Sequence, residues 1–295
     1  MHDVGHHRAR EWPGIRSEAR YPRTDAAEIA SFQIRLTARR VIVPLGAAIA
    51  VLALGHLAVA VATFVLRLRV PYSVMRPFDL NAEQGFGTLF STLLLVAASL
   101  LLLLTGADAR RRRARDTRYW FLLAAGFSFM AVDESVSLHE IVQGPLRRVL
   151  HTSGALFYAW VIPYAAVVLA LAPFLLRFVR RLPPATRRDF VFAGAIYLTG
   201  AIGMEIVEGR LQDAVGFESF PMELAFLAEE VMEMFGVAYF IAGILSYLEA
   251  RGRPLQITIS VPAALERERE VPLEQWQLAD RPRDAPTQPE TTVRP

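Results

Sequence analysis

The sequence predicts an all-α membrane protein: a bundle of six transmembrane helices with both termini in the cytoplasm. Two features indicate this class, namely long apolar segments that recur along the chain and short arginine-rich stretches between them. Each apolar segment has roughly 20 residues, the length that a helix needs to cross a hydrocarbon core. Since backbone polar groups must be satisfied internally in lipid, we expect every segment to be helical.

The six apolar segments have few polar positions on any side, whereas helices of a soluble bundle carry a single apolar stripe. We therefore assign them as membrane spans, at residues 41–66, 86–106, 119–142, 155–177, 190–209 and 225–248.

The regions on either side of this transmembrane domain (residues 41–248) are polar. We expect residues 1–40 to be a cytoplasmic segment in which 25–40 form a short amphipathic helix on the membrane surface. Residues 249–295 are expected to be a cytoplasmic tail that starts with a strand-like patch, Ile257–Val261. The rest of that tail is charged and proline-rich, which predicts disorder.

The distribution of arginine predicts the orientation of the spans. The loops between spans 2 and 3 and between spans 4 and 5, together with Arg177 at the end of span 4, hold eleven arginines, and the other three loops together hold six. Positive charge near span ends marks the cytoplasmic side. The sequence therefore predicts a multi-pass protein of the inner membrane with both ends inside.

The composition also excludes several kinds of chemistry. The chain has no cysteine, and all 32 of its basic residues are arginine. Disulfides, thiolate metal sites and lysine Schiff bases are therefore ruled out. The net charge of +3 is explained by loop arginines, so we expect membrane lipid as a partner and no nucleic acid.

Eight carboxylates lie within or at the ends of three of the apolar spans. A carboxylate at mid-membrane costs about 2.5–3.5 kcal/mol, so these groups are not expected to face lipid singly. The predicted orientation puts all of them in the outer third of the membrane. They are Asp133, Glu134 and Glu140 in span 3, Glu205 and Glu208 in span 5, and Glu229, Glu230 and Glu233 in span 6.

Helical spacing predicts that these acids face one another. Residues three or four apart share a helix face, which pairs Glu205 with Glu208 and Glu230 with Glu233. On span 3, Asp133, Ser137 and Glu140 are likewise expected to share a face, within about 60° of one another at 100° per residue. Carboxylates crowded in a low-dielectric environment repel unless protons or cations lie between them.

Three acidic strings carry a resemblance to a known group of proteins. DESVSLHE, GMEIVEG and EEVMEMFG resemble the motifs of a family of uncharacterised bacterial six-span integral membrane proteins, over about residues 41–248. The resemblance implies the six-helix fold and a shared acidic site, and it implies no particular activity.

We interpret the acids and one histidine as a metal site, with two metal ions as the favoured arrangement, in a membrane enzyme that acts on a lipid-soluble substrate. Carboxylate-bridged dimetal proteins place such ligands on facing helices, although they use a Glu-x-x-His pairing where this chain has Glu-x-x-Glu. The ligand types suit iron, manganese or zinc. The predicted ligands are Glu134, His139, Glu205, Glu208, Glu230 and Glu233, with Asp133, Glu140, Glu229 and His56 as further candidates.

Two other interpretations remain open. Membrane-embedded acids also mark proton and ion pathways, so the protein could be a proton- or cation-coupled transporter, including one for small-molecule efflux. Alternatively, the acids and histidine could serve only to hold a structural membrane protein together. Homo-oligomers are compatible with each interpretation.

Small and aromatic residues near the acids indicate close packing beside a cavity. Gly194, Gly200 and Gly203 in span 5 would allow another helix to approach. We expect Pro163 to kink span 4, and we expect the aromatic residues around it to line a cavity or mark the membrane interface: Tyr158, Trp160 and Tyr164.

Overall fold

The computed structural model describes residues 29–83 and 85–262, and this part of the chain is almost entirely helical. The all-α prediction is therefore confirmed. The helices, in chain order, are α1 (Ala38–Ala60), α2 (Tyr72–Phe78), α3 (Phe86–Arg111), α4 (Thr117–Val136), α5 (Leu138–Leu150), α6 (Val161–Val179), α7 (Pro184–Leu198), α8 (Glu205–Val215) and α9 (Phe220–Ala250). A π-helical turn, Val61–Val65, extends α1, and another, Thr199–Met204, joins α7 to α8.

Five helical segments are long and apolar enough to cross a membrane, and the α4–α5 pair makes six if it counts as one span. The five are Ala38–Val65, Phe86–Arg111, Val161–Val179, Pro184–Val215 and Phe220–Ala250. These helices indicate a membrane-embedded protein and agree with the apolar segments of the sequence.

Helix α9 forms the centre of the bundle. About 61% of its most apolar stretch is buried inside the protein, against 11% for α6. An aromatic cluster around Trp120 joins α9 to its neighbours: the ring centroids of Phe178 and Tyr247 lie 5.0 and 5.1 Å from that of Trp120. Helix α6, in contrast, has only two buried residues, Val161 and Phe178, one at each end.

The third predicted span is broken, so the prediction of a continuous helix over 119–142 is wrong. Ser137 adopts a left-handed conformation with φ 54° and ψ 48°, and the helices on either side are bent by 77°. The Oδ1 atom of Asp133 accepts the backbone N–H of His139 at 2.9 Å. This bond replaces one that a continuous helix would have made, and it caps the start of α5. Asp133, Ser137 and Glu140 therefore do not share one helix face.

The fourth predicted span starts later than expected. Residues 154–156 form a single 3₁₀ turn, and α6 begins at Val161. Pro163 lies in the first turn of α6, where a missing backbone N–H is tolerated. A kink at Pro163 is therefore not required.

The ends of the described chain form strands. Ile29–Leu36 and Leu255–Pro262 pair as β1 and β2 of a two-stranded sheet. The strand-like patch predicted at Ile257–Val261 is confirmed, while the amphipathic helix predicted over 25–40 is wrong where it is described: β1 covers 29–36, and α1 starts at Ala38. In β1, pairing with β2 satisfies the backbone N–H and C=O groups, which in the predicted surface helix would have bonded to one another within the helix.

The chain divides into two compact units, of which Arg35–Ile257 contains all the helices of the described residues. The other unit contributes only 29–34 and 258–262 to the described residues. The tail predicted to be disordered beyond residue 262, and most of the predicted cytoplasmic N-terminal segment, lie outside the described residues.

Candidate metal centre

A cavity of about 580 Å³ lies between α4, α6, α7, α8 and α9. Its size is that of a typical small-molecule site. One part is lined by the loop and α5 residues Glu83, His139 and Glu140 and by seven more carboxylates: Asp133, Glu134, Glu205, Glu208, Glu229, Glu230 and Glu233. Among the described residues, no arginine lines this cavity. The predicted convergence of acids from three spans is therefore present in the structure.

The tightest group of acids is formed by Glu205, Glu208 and Glu229. Each offers a carboxylate oxygen, and the three oxygens all lie within 4.8 Å of one another, close enough to hold one metal ion. Glu208 is 1% exposed and Glu205 is 8% exposed. The first turn of α8 carries Glu205 and Glu208 three residues apart, and α9 brings Glu229 against them.

Two oxygens of this group lack a partner. Within the described residues, Glu205 Oε2 and Glu208 Oε1 are buried and make no hydrogen bond. The carboxyl groups of Glu208 and Glu229 are close enough to share a proton when no cation lies between them. Buried carboxylate oxygens without partners are costly, and a cation between these three residues would remove that cost.

Aromatic residues fix the position of Glu205. The indole N–H of Trp160 donates to Glu205 Oε1 at 3.1 Å. The Trp160 ring in turn contacts the rings of His139 and Tyr164, with centroids 5.0 and 4.9 Å away. These residues line the cavity, as predicted for Trp160 and Tyr164. Such contacts around a ligand restrict its rotamer.

A second set of acids lies beside the first. Glu230 and Glu233 of α9 are close enough to Glu134 of α4 for mutual repulsion. Tyr197 of α7 lines the cavity beside Glu233, and its hydroxyl is the neighbouring group that can donate a hydrogen bond to that carboxylate. These carboxylates line the same cavity but are not as tightly grouped as Glu205, Glu208 and Glu229.

The predicted histidine ligand His139 is held by Asp133. Besides the backbone bond, His139 Nδ1 lies 3.4 Å from Asp133 Oδ1. Asp133 is buried. Because its carboxylate accepts the backbone N–H of His139, it stabilises the bend between α4 and α5. His139 lines the cavity but does not belong to the tight three-glutamate group, which contains no imidazole.

The acidic end of the cavity is also lined by the pair Glu83 and Glu140 and by Tyr158, all outside the long apolar helices. A hydrogen bond with the Glu140 carboxyl group lowers the pKa of Glu83. Burial raises the pKa of Tyr158, with neighbouring glutamates adding to the effect, and its hydroxyl stays protonated. Tyr158 is therefore a hydrogen-bond donor at the cavity.

A glycine allows α8 and α9 to approach. Gly200 lies in the π-helical turn before Glu205, and a Cβ atom there would lie 3.0 Å from the carbonyl oxygen of Glu229 and 3.1 Å from Glu233 Cγ. Only glycine fits without a shift of α9. Single π-helical turns frequently occur at functional sites.

His56 belongs to a different place. It groups with Asp79 and Glu223, and their ligand atoms also lie within 4.8 Å of one another. The Leu80 N–H donates to His56 Nδ1 at 3.2 Å, and His56 Nε2 lies 3.0 Å from the carbonyl oxygen of Glu223. Both ring nitrogens thus have protein partners, and His56 joins α1 to the connection after α2 and to α9.

Most residues of this site were predicted from the sequence, but the structure groups them differently. Glu205 and Glu208 were predicted ligands, and Glu229, a further candidate, completes their group. Residues that sequence reasoning missed include Glu83 and Tyr197 at the cavity. Glu83 lies in a connection outside the apolar spans, so nothing in the sequence indicated that it would lie at a buried site. Tyr197 lies within an apolar span, where an amphipathic tyrosine does not by itself indicate a functional role.

Comparisons with known proteins place the chain in a family. Residues 43–248 match the family described as "Domain of unknown function (DUF8692)", and this range includes every acid of the cavity. No curated protein and no solved structure matches the chain. Since the match covers well over half of the sequence, the chain belongs to the DUF8692 family.

Proposed function

We propose that this protein is a membrane enzyme that binds a divalent cation between Glu205, Glu208 and Glu229 and acts on a lipid-soluble substrate. The observation that carries the proposal is the pair of buried, unpartnered oxygens, Glu205 Oε2 and Glu208 Oε1, in a group whose ligand atoms lie within 4.8 Å. A cation is the simplest partner for such oxygens, because three carboxylates at this distance repel one another.

The ligand set favours some metals over others. Carboxylate oxygens suit manganese and iron(II), along with magnesium and calcium, better than zinc, which usually takes imidazole or thiolate ligands. The nearby Glu134, Glu230 and Glu233 would hold a second cation in a dinuclear site or would accept protons. A bound metal would act as a Lewis acid on a substrate oxygen or would activate water.

The membrane arrangement that we propose has six spans with both termini in the cytoplasm. Helix α4 has 20 residues, or about 30 Å at 1.5 Å per residue, which suffices to cross the hydrocarbon core. Helix α5, with Arg147 and Arg148 in its last turn, would then lie along the outer surface. The acidic end of the cavity would face the outer leaflet.

This orientation is testable because the chain has no cysteine. Single cysteines introduced at Arg112 and at Gly216 should differ in their reaction with a membrane-impermeant maleimide on intact cells. We expect labelling at position 216 only. Labelling at position 112 alone would show that the protein has the opposite orientation, with both termini outside.

The metal site is tested by the metal content of the protein in lipid nanodiscs. After exposure to Mn(II), Fe(II) or Zn(II) and removal of free metal, we expect at least one equivalent bound by the natural protein. Glu208→Gln should lose the metal, and Glu218→Gln, at an exposed position, should keep it. Glu230→Gln would remove one of two equivalents if the site is dinuclear. A natural protein that binds none of these metals would contradict the proposal.

A transporter is the second candidate, and one observation favours it. Two helices are interrupted at the acids: α4 breaks at Ser137, and the π-helical turn Thr199–Met204 precedes Glu205. Discontinuous helices at buried charges are typical of ion-coupled transporters. Proteoliposomes separate the two candidates, since acid-dependent cation flux without metal retention would favour transport.

A further inference from the structure

The cavity extends well beyond the acids, along one face of α6. The cavity-lining residues of α6 follow helical spacing over four turns: Tyr164, Val168, Leu171, Ala172, Leu175, Leu176 and Val179. From Tyr164 to Val179 the helix rises about 22 Å at 1.5 Å per residue. The acids lie at the Trp160 end of α6, and the lining at the other end includes Phe178 and Phe190.

The opposite walls change character in the same order. On α9 the lining runs from Glu229, Glu230 and Glu233 to Gly236 and Phe240. On α4 it runs from the acids Asp133 and Glu134 to Met130, Phe127 and Leu123. Asp133, Glu134 and Glu233 therefore lie where the acidic part meets the apolar part. Glu229 lies one turn further towards the acidic end of α9, with Glu205 and Glu208 of α8 beside it.

The apolar part has the dimensions of a hydrocarbon chain. The α4 wall from Asp133 to Leu123 spans about 15 Å, which is half of a hydrocarbon core of roughly 30 Å and so the depth of one lipid leaflet. Because α6 is buried only at its two ends, this part of the cavity is separated from the surrounding bilayer by one loosely packed helix.

The acidic part selects the head group. Nine carboxylates and one imidazole line the cavity, and no arginine does so among the described residues. An anionic head would be repelled, whereas an ammonium group would neutralise carboxylates that otherwise repel one another. Trp160 and Tyr164 offer ring faces suited to a cation. Among the described residues, one buried carboxylate oxygen at the acidic end of the cavity, Glu208 Oε1, has no hydrogen-bond partner.

We infer that the cavity binds a single-chain amphiphile with an amine head, the ammonium group lying among Glu134, Glu230 and Glu233 and the chain lying along α6. The amphiphile would be the substrate of the proposed enzyme. Its binding does not require the metal, and only its chemical conversion rests on the proposed function. Since the bilayer is as apolar as the cavity wall, the chain contributes little affinity relative to lipid. Selectivity comes from the head group.

The test uses the full chain in nanodiscs, with its metal content measured in parallel. The probe is dodecylamine with a photoreactive diazirine at the end of its chain. We expect labelling about 15 Å from the acids, in the peptides around Leu123 and Leu175, which both line the cavity. Unlabelled dodecylamine should compete, and dodecanoate should compete at least tenfold less well.

Two positions on α6 give a matched pair of variants. Ala172 lines the cavity, whereas Ala170 is exposed on the other side of the helix. Ala172→Phe should reduce labelling at least tenfold with the metal retained, and Ala170→Phe should leave both unchanged. Gly194→Leu provides a second block, because a Cβ atom at this cavity-lining position meets nothing within 4 Å.

The outcomes separate the two proposals. Equal labelling in the Ala170→Phe and Ala172→Phe variants, or equal competition by the amine and the carboxylate, would overturn the amphiphile site while leaving the metal result intact. Specific, competed labelling in a protein that retains no metal would support the amphiphile site and contradict the metal centre.

Discussion

Trp160 and Glu205 join the start of α6 to the first turn of α8 through one hydrogen bond, from the indole Nε1 to Oε1 at 3.1 Å. The bond leaves Glu205 Oε2 buried and without a partner among the described residues. One oxygen is thereby fixed by the protein, and the other remains available to a cation beside Glu208 and Glu229.

Trp160→Phe tests the role of this bond. The change keeps an aromatic ring beside His139 and removes the donor to Glu205. Since partners of metal ligands are typically worth 10–100-fold in metal affinity, we expect Mn(II) binding to weaken by about that factor, as measured by titration with electron paramagnetic resonance. Unchanged affinity would mean that Trp160 does not position a ligand.

Gly200→Ala tests the contact between the π-helical turn and α9. The new methyl group would meet the Glu229 carbonyl oxygen and Glu233, and overpacking of this kind costs about 1–3 kcal/mol. We expect a lower melting temperature together with loss of bound metal. The control is Gly203→Ala, where the nearest atom, Thr199 Cγ2, lies at an ordinary 3.4 Å. Equal stability of the two variants would contradict the close approach.

Asp133→Ala tests the bend between α4 and α5. The substitution leaves the N–H of His139 without its partner, which costs about 1–3 kcal/mol for a buried donor. We expect reduced thermal stability with metal still bound, because Asp133 lies outside the three-glutamate group. Asp133→Asn keeps an acceptor oxygen and should be milder. If Asp133→Ala loses metal as completely as Glu208→Gln does, Asp133 is itself a ligand.

His56→Ala tests whether His56 has a structural role. The change leaves the Leu80 N–H and the Glu223 carbonyl without their side-chain partner, so we expect a loss of about 1–3 kcal/mol in the free energy of unfolding. Bound metal should be unchanged. The exposed His151 provides the matched control, and His151→Ala should leave both quantities as they are. Loss of metal at full stability would instead support a site at His56, Asp79 and Glu223.

Most of the secondary structure could be predicted because the responsible signals are local. Apolar length predicted the positions of the helices of the first, second, fifth and sixth segments, although the fifth and sixth helices begin five or six residues before the predicted bounds. The break at Ser137 could not be predicted in this way, since AVDESVSLHE has no glycine or proline. It depends on a bond between Asp133 and His139 that exists only once the chain has bent.

The sequence by itself determined that the chain is a bundle of apolar helices and that carboxylates of the third, fifth and sixth segments gather at one end. Apolar runs and the cost of isolated charge suffice for both conclusions. Only the tertiary structure decided that Glu229 joins Glu205 and Glu208, that Glu230 and Glu233 turn towards Glu134, and that His56 lies elsewhere. These groupings depend on the rotation of each helix about its axis and on its distance from neighbouring helices. Tertiary contacts such as that at Gly200 determine both quantities, whereas helical spacing within one segment carries no information about either.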